Sequence, residues 1–153
     1  MKLSKKAKQR LGTLIRFMRR LPKDANKHFD MESWFSYGGE HELKAKEVTR
    51  KVLTYCGASA CALGWACTIP SFQKAGLRMP INKIEEPWSK SEEFFDVPIS
   101  VVFYLFMMDA ETPKQWASKA EQYLRDYERA GLRSVHVENV HGDNQATRRS
   151  GRR

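Results

Sequence analysis

The chain has no apolar run long enough to span a bilayer. Its most apolar stretch, Val97 to Met108, is twelve residues long and contains Pro98, whereas a spanning helix needs about 20. Near the start, Arg16 interrupts Leu11, Leu14, Ile15, Phe17 and Met18, so no secretory apolar segment is expected there. Cysteine is scarce: three residues, all between 56 and 67, an odd number that cannot pair completely within one molecule. A disulfide scaffold is excluded, and reduced thiols in a cytosolic setting are expected. Acidic residues are almost missing from the two ends. Residues 1 to 27 carry ten Lys and Arg against Asp24 alone, and residues 148 to 153 carry four Arg and no acid. The remainder is mildly acidic, so the net charge of +9 comes from the ends.

At 153 residues, with 41% hydrophobic and 11% aromatic residues, the chain is long and apolar enough for one domain with its own core. Leu11, Leu14, Ile15, Met18 and Leu21 recur at helical spacing and Lys and Arg fill the remaining circumference, which predicts a basic amphipathic helix ending at Pro22. Asp30 is expected to N-cap a short helical turn before Tyr37-Gly38-Gly39 breaks the chain. Leu43, Val48, Val52 and Tyr55 suit a helix over Glu42 to Tyr55, although its β-branched residues allow a strand at its end. Cys56 to Cys67, built from Gly, Ala, Ser and Cys with a single Trp, predicts a central helix from about Ala58 to Cys67 against which another element or a ligand packs closely. Gly64 inside it costs about 1 kcal/mol of helix propensity relative to Ala, so a close packing partner is the natural compensation.

A turn of helix closed by Gly76 follows, then irregular chain from Met79 to Pro87. A helical segment around Ser91 to Phe95 breaks at Asp96-Val97-Pro98 and gives way to a buried helix from Ile99 to Met108. Thr112-Pro113-Lys114-Gln115 combines an N-cap, Pro at the first helical position and a Gln where a capping box needs it. The helix it opens is expected to end at Gly131. Ser134 to Val140 alternates like a short strand, and Gly142 to Arg153 has so little apolar content that disorder is expected. The fold class is therefore mainly α, a compact helical domain of about five or six helices, with a short C-terminal strand. A basic helix over 1–27, a core over 28–141 and a basic tail over 142–153 organise it.

The cysteines are spaced Cys-x4-Cys and Cys-x5-Cys, unlike the close ligand pairs of zinc sites, so no metal and no cofactor are expected. Cys56, just before a helix start, is the residue best placed to be a nucleophile, with His136 and Asn139 or Asp143 as partners. Cys56-Gly57 at a helix entrance is similar to how papain-like peptidases present their cysteine, but the surrounding motif is not reproduced. Trp34, Trp65, Trp88 and Trp116 adjoin apolar patterns, and Phe94, Phe95, Phe103, Tyr104 and Phe106 are expected in the core. That leaves Tyr37 and Trp88 free for stacking.

Phe29-Asp30-Met31-x-x-Trp34, then Cys56-Gly57-x-x-Ala60-Cys61-Ala62-x-Gly64-Trp65-Ala66, then Gly76-Leu77, resembles a group of small, mostly uncharacterised bacteriophage proteins. Those proteins carry an FDM-x-x-W segment followed by a CGT-x-A-C-x-x-G-W or G-H block; here Ala58 stands where Thr often follows Cys-Gly. The resemblance implies a viral origin, action in the cytoplasm of an infected bacterial host and an accessory role, but no reaction.

The expected function is non-enzymatic binding of an anionic partner, with nucleic acid (DNA or RNA) preferred and no membrane insertion. Lys5, Lys6, Lys8, Arg10, Arg16, Arg19 and Arg20, with Arg148, Arg149, Arg152 and Arg153, would contact phosphate. One alternative is a counter-defence protein that captures a host protein or a nucleotide signal in a pocket lined by Tyr37, Gly57, Ser59, Gly64 and Trp65. Another is a cysteine hydrolase using Cys56 and His136.

Overall fold

The computed structural model describes residues 2–32, 35–36, 53, 58–78 and 87–142, with the side chains of the last segment described from 88 to 131. Within these residues the fold is mainly helical. Helix α1 spans Lys5–Arg20, and a 3-10 helix follows over Lys23–His28. Two short strands, β1 (Phe35–Ser36) and β2 (Ser59–Ala60), pair antiparallel with Phe35 opposite Ala60. Then come α2 (Ala62–Ala66), α3 (Pro70–Lys74), α4 (Pro87–Phe95), α5 (Ile99–Met107) and α6 (Pro113–Gly142).

Helix α1 begins at Ser4, whose hydroxyl accepts the Ala7 N–H at 3.0 Å, and it buries Ala7, Leu11, Leu14, Ile15 and Met18. That apolar stripe joins the same core as Trp65, Phe95, Phe106 and Trp116, with α6 as its main packing partner and α4 beside it. A chain of ring contacts ties the later helices together. Phe72 meets Phe94 at 5.0 Å, Phe94 meets Phe95 at 5.0 Å, Phe95 meets Phe106 at 5.5 Å and Phe106 meets Trp116 at 6.1 Å. The Trp116 indole donates to the Leu105 carbonyl at 2.6 Å, satisfying one of the orphan carbonyls at the end of α5.

Two helix ends use left-handed residues. Gly76, at φ 97°, closes α3 in a Schellman motif: Leu77 N–H donates to Phe72 O at 2.9 Å and Gly76 N–H to Gln73 O at 3.2 Å. Asp96, at φ 57°, closes α4 differently: its N–H donates to Glu92 O at 2.9 Å, as in an αL cap, and Val97 N–H reaches the same carbonyl at 3.4 Å. At the start of α6, Thr112 Oγ1 accepts the Gln115 N–H at 3.1 Å, and Gln115 Oε1 accepts the Glu111 N–H at 2.6 Å. The reciprocal bond therefore lands one residue before the N-cap.

Four sequence expectations are corrected. The small-residue helix starts at Ala62 rather than Ala58, because Ser59 and Ala60 lie extended between β1 and residues 28–30. Asp30 does not start a helix: its Oδ1 accepts the Glu32 N–H at 2.9 Å in a tight turn and its own N–H donates to Ala60 O at 3.1 Å. Gly131 does not end α6, and Ser134 to Val140 continues the helix to Gly142. A lone strand leaves its backbone groups unpaired, whereas a helix satisfies them internally. Finally, α5 is not buried all round. Val101, Val102, Leu105 and Phe106 face inward, while Phe103, Tyr104 and Met107 are 40%, 50% and 65% exposed. The Glu42 to Tyr55 helix lies outside the described residues apart from Leu53, which is buried, as does the tail over 143–153.

Candidate functional site

At about 100° per residue, the basic α1 residues that point away from Leu11, Leu14 and Met18, on the face shared with Gln9, are Lys5, Arg16 and Arg20, within about 60° of one another. All three side chains are exposed. At 1.5 Å per residue they form a crest about 22 Å long. Arg16 is steadied by a 3.2 Å bond from Nη2 to Thr13 Oγ1, which in turn donates to Gln9 O at 2.8 Å.

The flanking cations are held by the protein itself. Lys8 pairs with Glu128 at 2.6 Å and Arg19 with Glu121 at 2.6 Å, both on α6. The Arg19 hydrogen bond holds the Glu121 carboxyl below its ordinary range, with further help from the charges of Arg19 and Arg125. On the other flank Lys6 Nζ donates to Glu93 O at 3.4 Å and Arg10 donates to Phe94 O. The Arg10 guanidinium lies 4.0 Å from the Phe94 ring centroid. These two cations meet the final carbonyls of α4, where the helix dipole favours positive charge. Of the seven basic α1 residues expected at phosphate, the structure thus separates a crest of three from two flanks.

Beside Lys6 and Arg10 opens a cleft of about 280 Å³ that also takes Arg78, from the segment after the α3 cap, and Lys90, from α4. Glu93 is the carboxylate on its rim. Neither Arg78 nor Lys90 stands out in the sequence. Tertiary packing alone brings them to α1.

The small-residue block is a packing centre among the described residues. Ala58 and Ala60 are buried, and His28 Nδ1 donates to Ala58 O at 2.8 Å, which requires the proton on that nitrogen. The Trp65 indole donates to His28 O at 3.2 Å. The close partner of the block is therefore the chain's own 28–30 segment, which unites the two halves of the FDM and Cys-Gly pattern in space. Gly64 and Trp65 are buried in the core, and Ser59 is half-buried. Cys61 and Cys67 are buried, and desolvation raises both thiols, Cys67 to about 12. Tyr37, Cys56, Gly57, Arg148, Arg149, Arg152 and Arg153 lie outside the described residues, as does the side chain of His136 on α6.

A second concavity, of about 690 Å³, lies between α5 and α6 and is lined chiefly by Phe103, Tyr104, Met107 and Tyr123, with Asp109 and Asp126 on its edge. Tyr104 stacks on Tyr123 at 3.8 Å and 13°. Phe103 and Tyr104 were expected in the core. At about 100° per residue both lie roughly 130° from the centre of the face made by Val101, Val102, Leu105 and Phe106, so burial of that face leaves them outside.

Among the described residues no helix is long and apolar enough to cross a membrane, and no cluster of three His, Cys, Asp or Glu is placed to hold a metal ion. No known family model, curated protein or solved structure matches the chain.

Proposed function

We propose that this protein is a non-enzymatic bacteriophage accessory protein that binds nucleic acid, DNA or RNA, in the cytoplasm of an infected bacterium. The α1 crest carries the proposal: Lys5, Arg16 and Arg20 share one exposed face of a helix whose opposite face is locked into the core. A rigid row of cations tracks a phosphate backbone without reading bases, and Arg148, Arg149, Arg152 and Arg153 add sequence-independent contacts. Neutralising three phosphates on duplex makes affinity fall about forty-fold between 50 and 200 mM salt. Binding of the full chain to labelled single- and double-stranded DNA and RNA across a salt series tests this. Salt-insensitive binding, or none at low salt, removes it.

The groove between α5 and α6 favours an alternative, capture of a host protein, because Phe103, Tyr104 and Met107 expose apolar surface of the kind found at protein interfaces. A Met107→Lys variant that keeps nucleic-acid binding but loses a co-purifying host partner would support that alternative.

A further inference from the structure

We infer that the cleft formed by Lys6, Arg10, Arg78 and Lys90 is the seat of one backbone phosphate of the bound nucleic acid, an inference that rests on the function proposed above. Among the described residues, four cations from three separate segments line one small space, together with one carboxylate, Glu93. Like charges brought together repel, and an anion between them turns that repulsion into attraction. A phosphate presents oxygens in several directions and suits cations arriving from three sides, whereas a planar carboxylate is met best by one guanidinium.

The cleft is preorganised. Arg10 is fixed by the Phe94 carbonyl and ring, yet a guanidinium carries five N–H donors and keeps others for a ligand. Lys6 is similarly leaned against Glu93 O and retains two donors. Opposite them, buried Leu77 anchors the chain while the left-handed Gly76 turns it, so that Arg78 emerges exposed at the cleft. A Cβ at Gly76 would meet nothing within 4 Å, so the space beside the turn is open. Lys6 and Arg10 lie on the α1 flank next to the crest, so a strand following Lys5, Arg16 and Arg20 passes the cleft mouth.

The test uses the full chain in three forms: wild type, Arg78→Ala/Lys90→Ala, and the crest variant Lys5→Ala/Arg16→Ala/Arg20→Ala. Anisotropy of labelled single-stranded and duplex DNA and RNA is followed from 50 to 200 mM salt. The cleft variant is expected to bind about tenfold more weakly at low salt, with the salt slope reduced by about 1. The charge-retaining Arg78→Lys/Lys90→Arg variant is expected to bind within about twofold of wild type, which separates lost charge from lost fold. Unchanged affinity and slope in the cleft variant, with weakened binding in the crest variant, overturn the cleft and leave the function standing. Failure of the wild type to bind either DNA or RNA overturns both.

Discussion

The Ser4 hydroxyl donates to the Asp96 carboxylate at 2.5 Å while accepting the Ala7 N–H at 3.0 Å, so one side chain joins the start of α1 to the end of α4. It caps one helix and steadies a left-handed, non-glycine residue at the end of another. Ser4→Ala removes both roles. A loss of about 1 to 2 kcal/mol is expected, measured by denaturant unfolding, and a loss below about 0.3 kcal/mol would show that neither contact matters in solution.

Gly76→Ala isolates backbone strain. Its φ of 97° suits glycine, but a methyl group there would touch nothing. The expected cost is therefore conformational only, about 1 to 2 kcal/mol, with Gly76→Asn costing less because Asn tolerates the left-handed region. Equal stability of the Ala and wild-type proteins would contradict the Schellman geometry at Leu77.

The Arg19 to Glu121 pair predicts a pH signature. Because the pairing lowers the carboxyl pKa, its stabilisation is complete above the unfolded-state value and disappears as pH falls through the folded one. Glu121→Gln should melt slightly below wild type at neutral pH, and the gap should close in acid. A gap that persists in acid would point to packing instead. Since Glu121 is partly exposed, added salt should also narrow it.

Cys61 and Cys67 should resist alkylation in the native protein and react rapidly once it is unfolded. Burial holds both as neutral thiols. Cys67 has its pKa raised from 9.0 to about 12, so its contribution to stability is intact below pH 9 and is lost as pH rises between those values. Fast native labelling at either position, located by peptide mass mapping, would refute that burial.

Where the residues carried their own instructions, structure followed them. Thr112-Pro113-x-Gln115, Gly76 and the break at Asp96 to Pro98 act through bonds to residues only a few places away, and each one marks a helix boundary in the fold. The alternating Ser134 to Val140 misled because alternation describes a strand only when a neighbouring strand is present. Cys56 to Cys67 was legible as a site of close approach. That its partner is His28 to Asp30, and that the approach splits it into strand and helix, depends on contacts about 30 residues apart.

By itself the sequence determined a mainly helical chain with basic ends, because helical periodicity, caps and charge are properties of short segments. Tertiary structure alone decided which charges remain available. Packing α1 between α4 and α6 commits Lys8 and Arg19 to carboxylates and props Lys6 and Arg10 on carbonyls with donors to spare, while Lys5, Arg16 and Arg20 stay outward. The same packing brings Arg78 and Lys90 to the side of α1. Electrostatic partnership depends on distance in space, and only the folded chain sets that distance.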